Sequence, residues 1–242
     1  MNIKSVGIIP ARYNSTRFPA KLLALIHGTT LLQRTYEKAA QATLLKEIIV
    51  ATDDERIFNH VLSFGGKAVM TPKDCQNGTE RVAIAAKSMP DVDIVVNIQG
   101  DEPLIDPKAI DLSVQALIDH PDRVAATLAC PLMPDEWEAS SVVKCVFSKS
   151  GQALYFSRSL IPGSKGEKKG PYYKHIGLYA YRADFLPTYL SLPETPLMLA
   201  EDLEQLKILE HGFSLHVTSV ESPSLGVDVP DDIKKVEQYL CQ

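Results

Sequence analysis

The sequence predicts an α/β protein, a mostly parallel sheet with helices on both faces. Three observations predict it. Short apolar, β-branched runs recur along the chain; helical patterns lie between many of them; and the runs are continuously apolar, as strands covered on both faces are. In order, the runs are "SVGII" (5–9), "EIIVAT" (47–52), "DIVVNI" (93–98), "VAATLA" (124–129), "VVKCVF" (142–147), "HIGLYAY" (175–181) and "SLHVTSV" (214–220). The helical patterns cover roughly 30–43, 54–64, 79–88, 107–119, 201–211 and 230–240.

Local chemistry supports the boundaries. The second helix starts after Asp53 and Asp54, whose side chains suit an N-cap, and stops at Gly65 and Gly66. The last has Asp228 ahead of Pro230, with Asp231 and Asp232 in its first turn. Residues 130–172 hold four prolines and "GSKGEKKG" and read as an excursion from the sheet, an oligomerisation hairpin inside a single domain spanning 1–242. Right-handed crossovers place the strand C-termini, and with them the site, along one sheet edge.

A net charge of −5 argues against a general nucleic-acid binder, so any basic feature is local. The four cysteines are scattered without a CxxC, which fits thiols of a reducing compartment better than a zinc site or disulfide framework. The apolar run before Pro10 is too short for a signal peptide, and no stretch approaches membrane length. The expectation is a cytoplasmic protein with no membrane or nucleic-acid partner.

The loop after the first strand, "PARYNSTRFPAK" (10–21), gathers Arg12, Arg17 and Lys21 with the hydroxyls of Ser15 and Thr16. In doubly wound folds this position meets phosphates. Neither GxxxxGK[ST] nor GxGxxG is present, which weakens kinase and dinucleotide readings. Guanidinium groups grip phosphate bidentately, and lysine adds a point charge. "NIQGDEPL" (97–104) brings Asp101 and Glu102 to the same edge, and "GVDVPDD" (226–232) brings Asp228. Each alone reads as a turn or cap carboxylate. Together they suit a magnesium ion, which takes one or two carboxylates and completes its shell with water and phosphate oxygens.

These residues, with "ATDD", "NGTERV", "ALYFSRSLIP", "HIGLYAYR" and "LEQLKILEHG", closely resemble the 3-deoxy-manno-octulosonate (Kdo) cytidylyltransferase family over residues 6 to about 238. The resemblance implies a Rossmann-like nucleotidyltransferase fold and a homodimer built through the excursion. It also implies a magnesium-dependent transfer of CMP from CTP to Kdo, giving CMP-Kdo and pyrophosphate for lipopolysaccharide synthesis. It assigns Ala11, Arg12, Ser15, Arg17, Lys21, Gly78, Arg81 and Asp101 to the nucleotide, with Lys21, Arg17 and Asp101 catalytic. It assigns Asp101 and Asp228 to the metal, and Gln99, Arg158, His175, Tyr179, Glu204 and Gln205 to the acid sugar. The sequence departs from the family pattern at Ala20, Leu22, Cys75, Asn77 and Met198. A related cytidylyltransferase acting on sialic acid or methylerythritol phosphate, and a non-catalytic nucleotide-binding protein, are the alternative readings.

Overall fold

The structure is a computed structural model that describes residues 3–14, 18–165, 170–221 and 225–241. The chain divides into two compact units, one of residues 1–114 with 224–242 and one of residues 115–223.

The first unit opens with β1 (Ser5–Ala11), buried except at Pro10. A small antiparallel hairpin of β2 (Leu25–Ile26) and β3 (Thr29–Thr30) leads into α1 (Leu31–Ala39). Then come β4 (Leu45–Thr52), α2 (Glu55–Ser63), β5 (Ala68–Met70), α3 (Gly78–Ala86) and β6 (Ile94–Asn97), and α4 (Pro107–Asp119) starts in this unit and ends in the second. The helix starts follow the cap chemistry in the sequence: Thr30 accepts from the Gln33 amide, Asp54 from Arg56 and Asn77 from Glu80. β4 and β6 flank β1 in parallel, and β5 pairs in parallel with β4. All four strands therefore end on one edge, and the loops after β1 and β6 share it. Val6, Ile8, Ile9, Val50, Val95 and Val96 fill the interior. Gly7 makes that packing possible, because a Cβ there would lie 2.6 Å from Ile48 Cδ1 and 2.9 Å from Ile98 Cδ1.

The second unit contains β7 (Ala125–Pro131), β8 (Lys144–Phe147), β9 (Ala153–Ser157), β10 (Tyr173–Arg182), α5 (Leu186–Ser191), α6 (Pro196–Glu201), α7 (Gln205–Glu210) and β11 (Leu215–Ser219). Here pairing is mixed: β10 runs antiparallel to β7 and β8, β8 antiparallel to β9, and only β11 pairs in parallel with β7. Within residues 130–172, expected as an excursion carrying a hairpin, β8 and β9 form an antiparallel hairpin whose first strand also pairs with β10. Of the helix expected over 201–211, α7 covers 205–210, and the separate α6 ends at Glu201, where Asp202 takes a left-handed conformation with φ 52°. β10 carries a bulge between Ile176 and Tyr179, and the Thr127 hydroxyl donates to the carbonyls of Ile176 (3.1 Å) and Leu178 (2.9 Å) inside it.

The chain then returns to the first unit with α8 (Pro230–Leu240), led by Pro230. Asp232 accepts the amides of Asp228 (3.0 Å) and Val229 (3.1 Å), which fixes the turn that carries Asp228. No helix among the described residues is long and apolar enough to cross a membrane.

Candidate active site

In the first unit, three segments meet at the C-terminal edge of the strands. Lys21 opens a 3₁₀ turn after the β1 loop, Asp101 follows β6, and Asp228 precedes α8. The Lys21 ammonium lies 2.5 Å from Asp101 Oδ2 and 3.8 Å from Asp228 Oδ1, and it donates to the Val227 carbonyl at 2.9 Å. The Val227 amide in turn donates to the Asp101 carbonyl at 2.9 Å, tying the two acidic segments together. The Thr35 hydroxyl, from α1, donates to the Gly100 carbonyl at 3.0 Å and holds the β6 loop from behind. Ala20, just before Lys21, has φ 55°, a conformation in which glycine would be unstrained. This is where the family pattern has glycine.

The cluster is strongly acidic for its depth. Burial, reinforced by the charges of Asp101 and Asp228, pushes the Glu102 carboxyl up to about 7. Two carboxylates thus flank one ammonium, and Glu102 lies near enough to both for their charge to raise its pKa. Among the described residues, no group of three His, Cys, Asp or Glu side chains forms a ready metal centre. The chemistry of the Asp101 and Asp228 carboxylates, two hard oxygen donors from separate segments, nevertheless suits magnesium, which takes one or two carboxylates and needs no dedicated protein cage.

Beside this cluster the loop after β1 is tied to the loop before α3, since the Arg12 guanidinium donates to the Cys75 carbonyl. Gly78, the first residue of α3, lies against Pro10: a Cβ there would be 3.3 Å from Pro10 Cγ. Arg81 is fully buried. It pairs with Asp53 Oδ2 at 2.7 Å and donates to the Thr71 hydroxyl, so its charge is partnered inside the protein and ties the start of α3 to the loops after β4 and β5. Ala11 is buried at the end of β1, and Gln99 Nε2 lies 3.4 Å from Asn97 Oδ1. Ser15 and Arg17 lie outside the described residues. Asp53, read from the sequence only as a helix-cap candidate, is the partner that neutralises Arg81.

In the second unit His175 and Tyr179 pack ring to ring at 5.3 Å, the β10 bulge notwithstanding. His175 Nε2 is 2.9 Å from the Thr127 hydroxyl, and burial lowers its imidazole to about 3, so it is neutral at physiological pH. Burial raises the Tyr179 phenol well above its usual range, with the neighbouring Tyr181 and Glu204 adding to the shift. Glu204 accepts from Tyr189 at 3.2 Å. Gln205 is buried and its Nε2 has no hydrogen-bond partner. Arg158 does not extend freely. Its Nε donates to the Glu201 carbonyl (2.7 Å), its Nη2 to the Asp202 carbonyl (3.1 Å) and carboxylate (3.4 Å), and its Nη1 to the Ser140 carbonyl (3.3 Å).

A parallel sheet edge with lysine set between carboxylates from separate loops is the layout of a nucleotide-transferring enzyme. The comparisons agree on that class. The cytidylyltransferase family model matches residues 6–220. A 3-deoxy-manno-octulosonate cytidylyltransferase of Protochlamydia amoebophila is 54% identical over 98% of this chain and 94% of its own length. That of Chlamydia pneumoniae is 51% identical over 97% and 93%. A solved CMP:2-keto-3-deoxy-manno-octonic acid synthetase, complexed with CTP, superposes with a TM-score of 0.95 at 41% identity, covering 99% of both chains. The chain belongs to the 3-deoxy-manno-octulosonate cytidylyltransferase family.

Proposed function

We propose that this protein activates Kdo by transferring CMP to it from CTP. The observation that carries the reading is the Lys21 ammonium bracketed by Asp101 and Asp228, which three distant chain segments bring together. In the reaction, the anomeric hydroxyl of Kdo attacks the α-phosphorus of CTP. The bond from that phosphorus to the α–β bridging oxygen breaks, pyrophosphate departs with the electron pair, and the hydroxyl proton passes to solvent. Lys21 stabilises charge growing on the triphosphate, and Arg12, Arg17 and Ser15 hold it. The carbonyl of Cys75 keeps Arg12 in place. Arg81 acts from behind by fixing the loop through Asp53. Asp101 and Asp228 would hold magnesium, which when bound supplies charge neutralisation at the phosphate oxygens.

The acid sugar is assigned to Gln99, Arg158, His175, Tyr179, Glu204 and Gln205. Neutral His175 and the unpartnered Gln205 amide suit hydroxyl groups, and the Arg158 guanidinium suits the carboxylate. The protein works as a homodimer: Met133, Leu154 and Leu199 are each more than half exposed in the second unit, as apolar contacts awaiting a partner would be. Its free cysteines fit the cytoplasm, and its product feeds lipopolysaccharide assembly. The test is pyrophosphate release from CTP and magnesium with Kdo, sialic acid or methylerythritol phosphate offered separately. Release with Kdo alone is expected, and a preference for either other acceptor overturns the assignment.

A further inference from the structure

Lys144 is fully buried at the start of β8, where its neighbour across the hairpin is Ser157. An ammonium without water is costly, and carbonyl oxygens return only part of its hydration. Lys144 nevertheless forms no ion pair among the described residues. Burial lowers its pKa, a shift that the more distant Glu138 and Glu136 only partly offset. Its Nζ donates to the Ala139 carbonyl at 2.6 Å and to the Arg158 carbonyl at 3.0 Å. On the other side of the same residue, Glu201 Oε2 accepts the Arg158 amide at 2.8 Å, while Oε1 accepts the Ser157 hydroxyl at 2.6 Å. The backbone of one arginine is thus gripped at its N–H by an anion and at its C=O by a buried cation. The side chain is then stapled to the carbonyls that end α6. Of the guanidinium, the Nη edge is the least firmly held: its bonds to Asp202 Oδ2 and Ser140 are the longest, and Asp202 is almost wholly exposed. Displacing the Asp202 carboxylate opens that edge to another carboxylate without moving the arginine.

We infer that Lys144 is a positioning residue for Arg158, fixing the peptide from which the guanidinium meets the substrate carboxylate. This rests on the reading of Arg158 as an acid-sugar ligand. A purely structural lysine would also destabilise when lost, so the test separates stability from substrate dependence. Lys144→Met removes the charge with little change in volume. It is expected to raise the KM for Kdo at least about tenfold and to leave that for CTP within about threefold, with a lower melting temperature because the Ala139 and Arg158 carbonyls lose their donor. Because Lys144 acts through Arg158, the double variant Lys144→Met/Arg158→Ala should show the same Kdo dependence as Arg158→Ala alone. If Arg158→Ala raises the Kdo requirement and Lys144→Met does not, or if the two effects multiply in full, the inference fails and the reading of Arg158 stands. If Arg158→Ala leaves the Kdo dependence unchanged, that reading itself fails. Should Lys144→Met not fold, Glu201→Gln, which loosens the opposite grip, takes its place with the same expected split.

Discussion

Replacing Lys21 with methionine tests the charge logic of the nucleotide site directly. In the structure the ammonium touches Asp101 at 2.5 Å and lies 3.8 Å from Asp228, with its side chain only 12% exposed. Charge pairs at about 4 Å under an effective dielectric near 20 interact by about 4 kcal/mol, and a charged hydrogen bond contributes about 1.5–3 kcal/mol net. In the resting protein that interaction is spread over two carboxylates. In the reaction it is directed at the triphosphate, where loss of one preorganised donor costs about 2.7–4 kcal/mol, a fall in turnover of about 10²–10³-fold. The same substitution removes the cation that competes with a metal for Asp101 and Asp228, so affinity for divalent cations without nucleotide should rise. The assays are single-turnover pyrophosphate release at saturating CTP and Kdo, and manganese binding followed by electron paramagnetic resonance. A variant with near-parental turnover, or with weaker manganese binding, would refute the assignment of Lys21.

Asp101→Asn and Asp228→Asn should each lower turnover at least about a hundredfold with circular dichroism unchanged; a variant retaining activity would remove its carboxylate from the metal site. Gly7→Ala forces a Cβ to 2.6 Å from Ile48 Cδ1 and should cost about 1–3 kcal/mol by overpacking, read as a lower urea midpoint. The His175 imidazole is lowered to about 3 from an ordinary 6.5, so the folded state binds fewer protons than the unfolded one between those values. Its contribution to stability is therefore intact above pH 6.5 and is lost as the pH falls, by about 2 kcal/mol at pH 5. His175→Gln should flatten the stability profile between pH 7.5 and 5, and an unchanged slope would show that the imidazole titrates normally.

Much of this architecture is legible in the residues. Continuous runs such as "DIVVNI" become buried strands, and the caps at Thr30, Asp54 and Asn77 form because short polar side chains reach the first free amides of a helix. The carboxylates and Lys21 converge because parallel strands deliver all their loops to one edge. The short strands β2, β3 and β5 leave no periodic signal, since two or three residues are too few to show a period. The break at Asp202 also escapes, because nothing local obliges a non-glycine residue to adopt positive φ. Hardest to read is what an arginine does with its charge. Arg81 and Arg158 look alike on paper as cations beside a motif, yet one is sealed against Asp53 and the other tied to helix-end carbonyls. Those partners lie tens of residues away, where only tertiary structure can bring them.

The first unit is written in two instalments, with the whole second unit spelled out between them. Asp101 leaves the ribosome about 130 residues before Asp228. At ordinary elongation rates of about 5–20 residues per second, the two are separated by roughly 6–25 s. Throughout that interval Lys21 and Asp101 have no third member, and the acidic turn ahead of α8 has yet to be made. If Asp101 and Asp228 share a metal as proposed, a nascent chain with its parallel sheet formed would still lack the second carboxylate, and nucleotide chemistry would wait until Asp228 has been made. On that reading the order of the genetic text would act as a timer on the enzyme, set by where one aspartate falls in the reading frame.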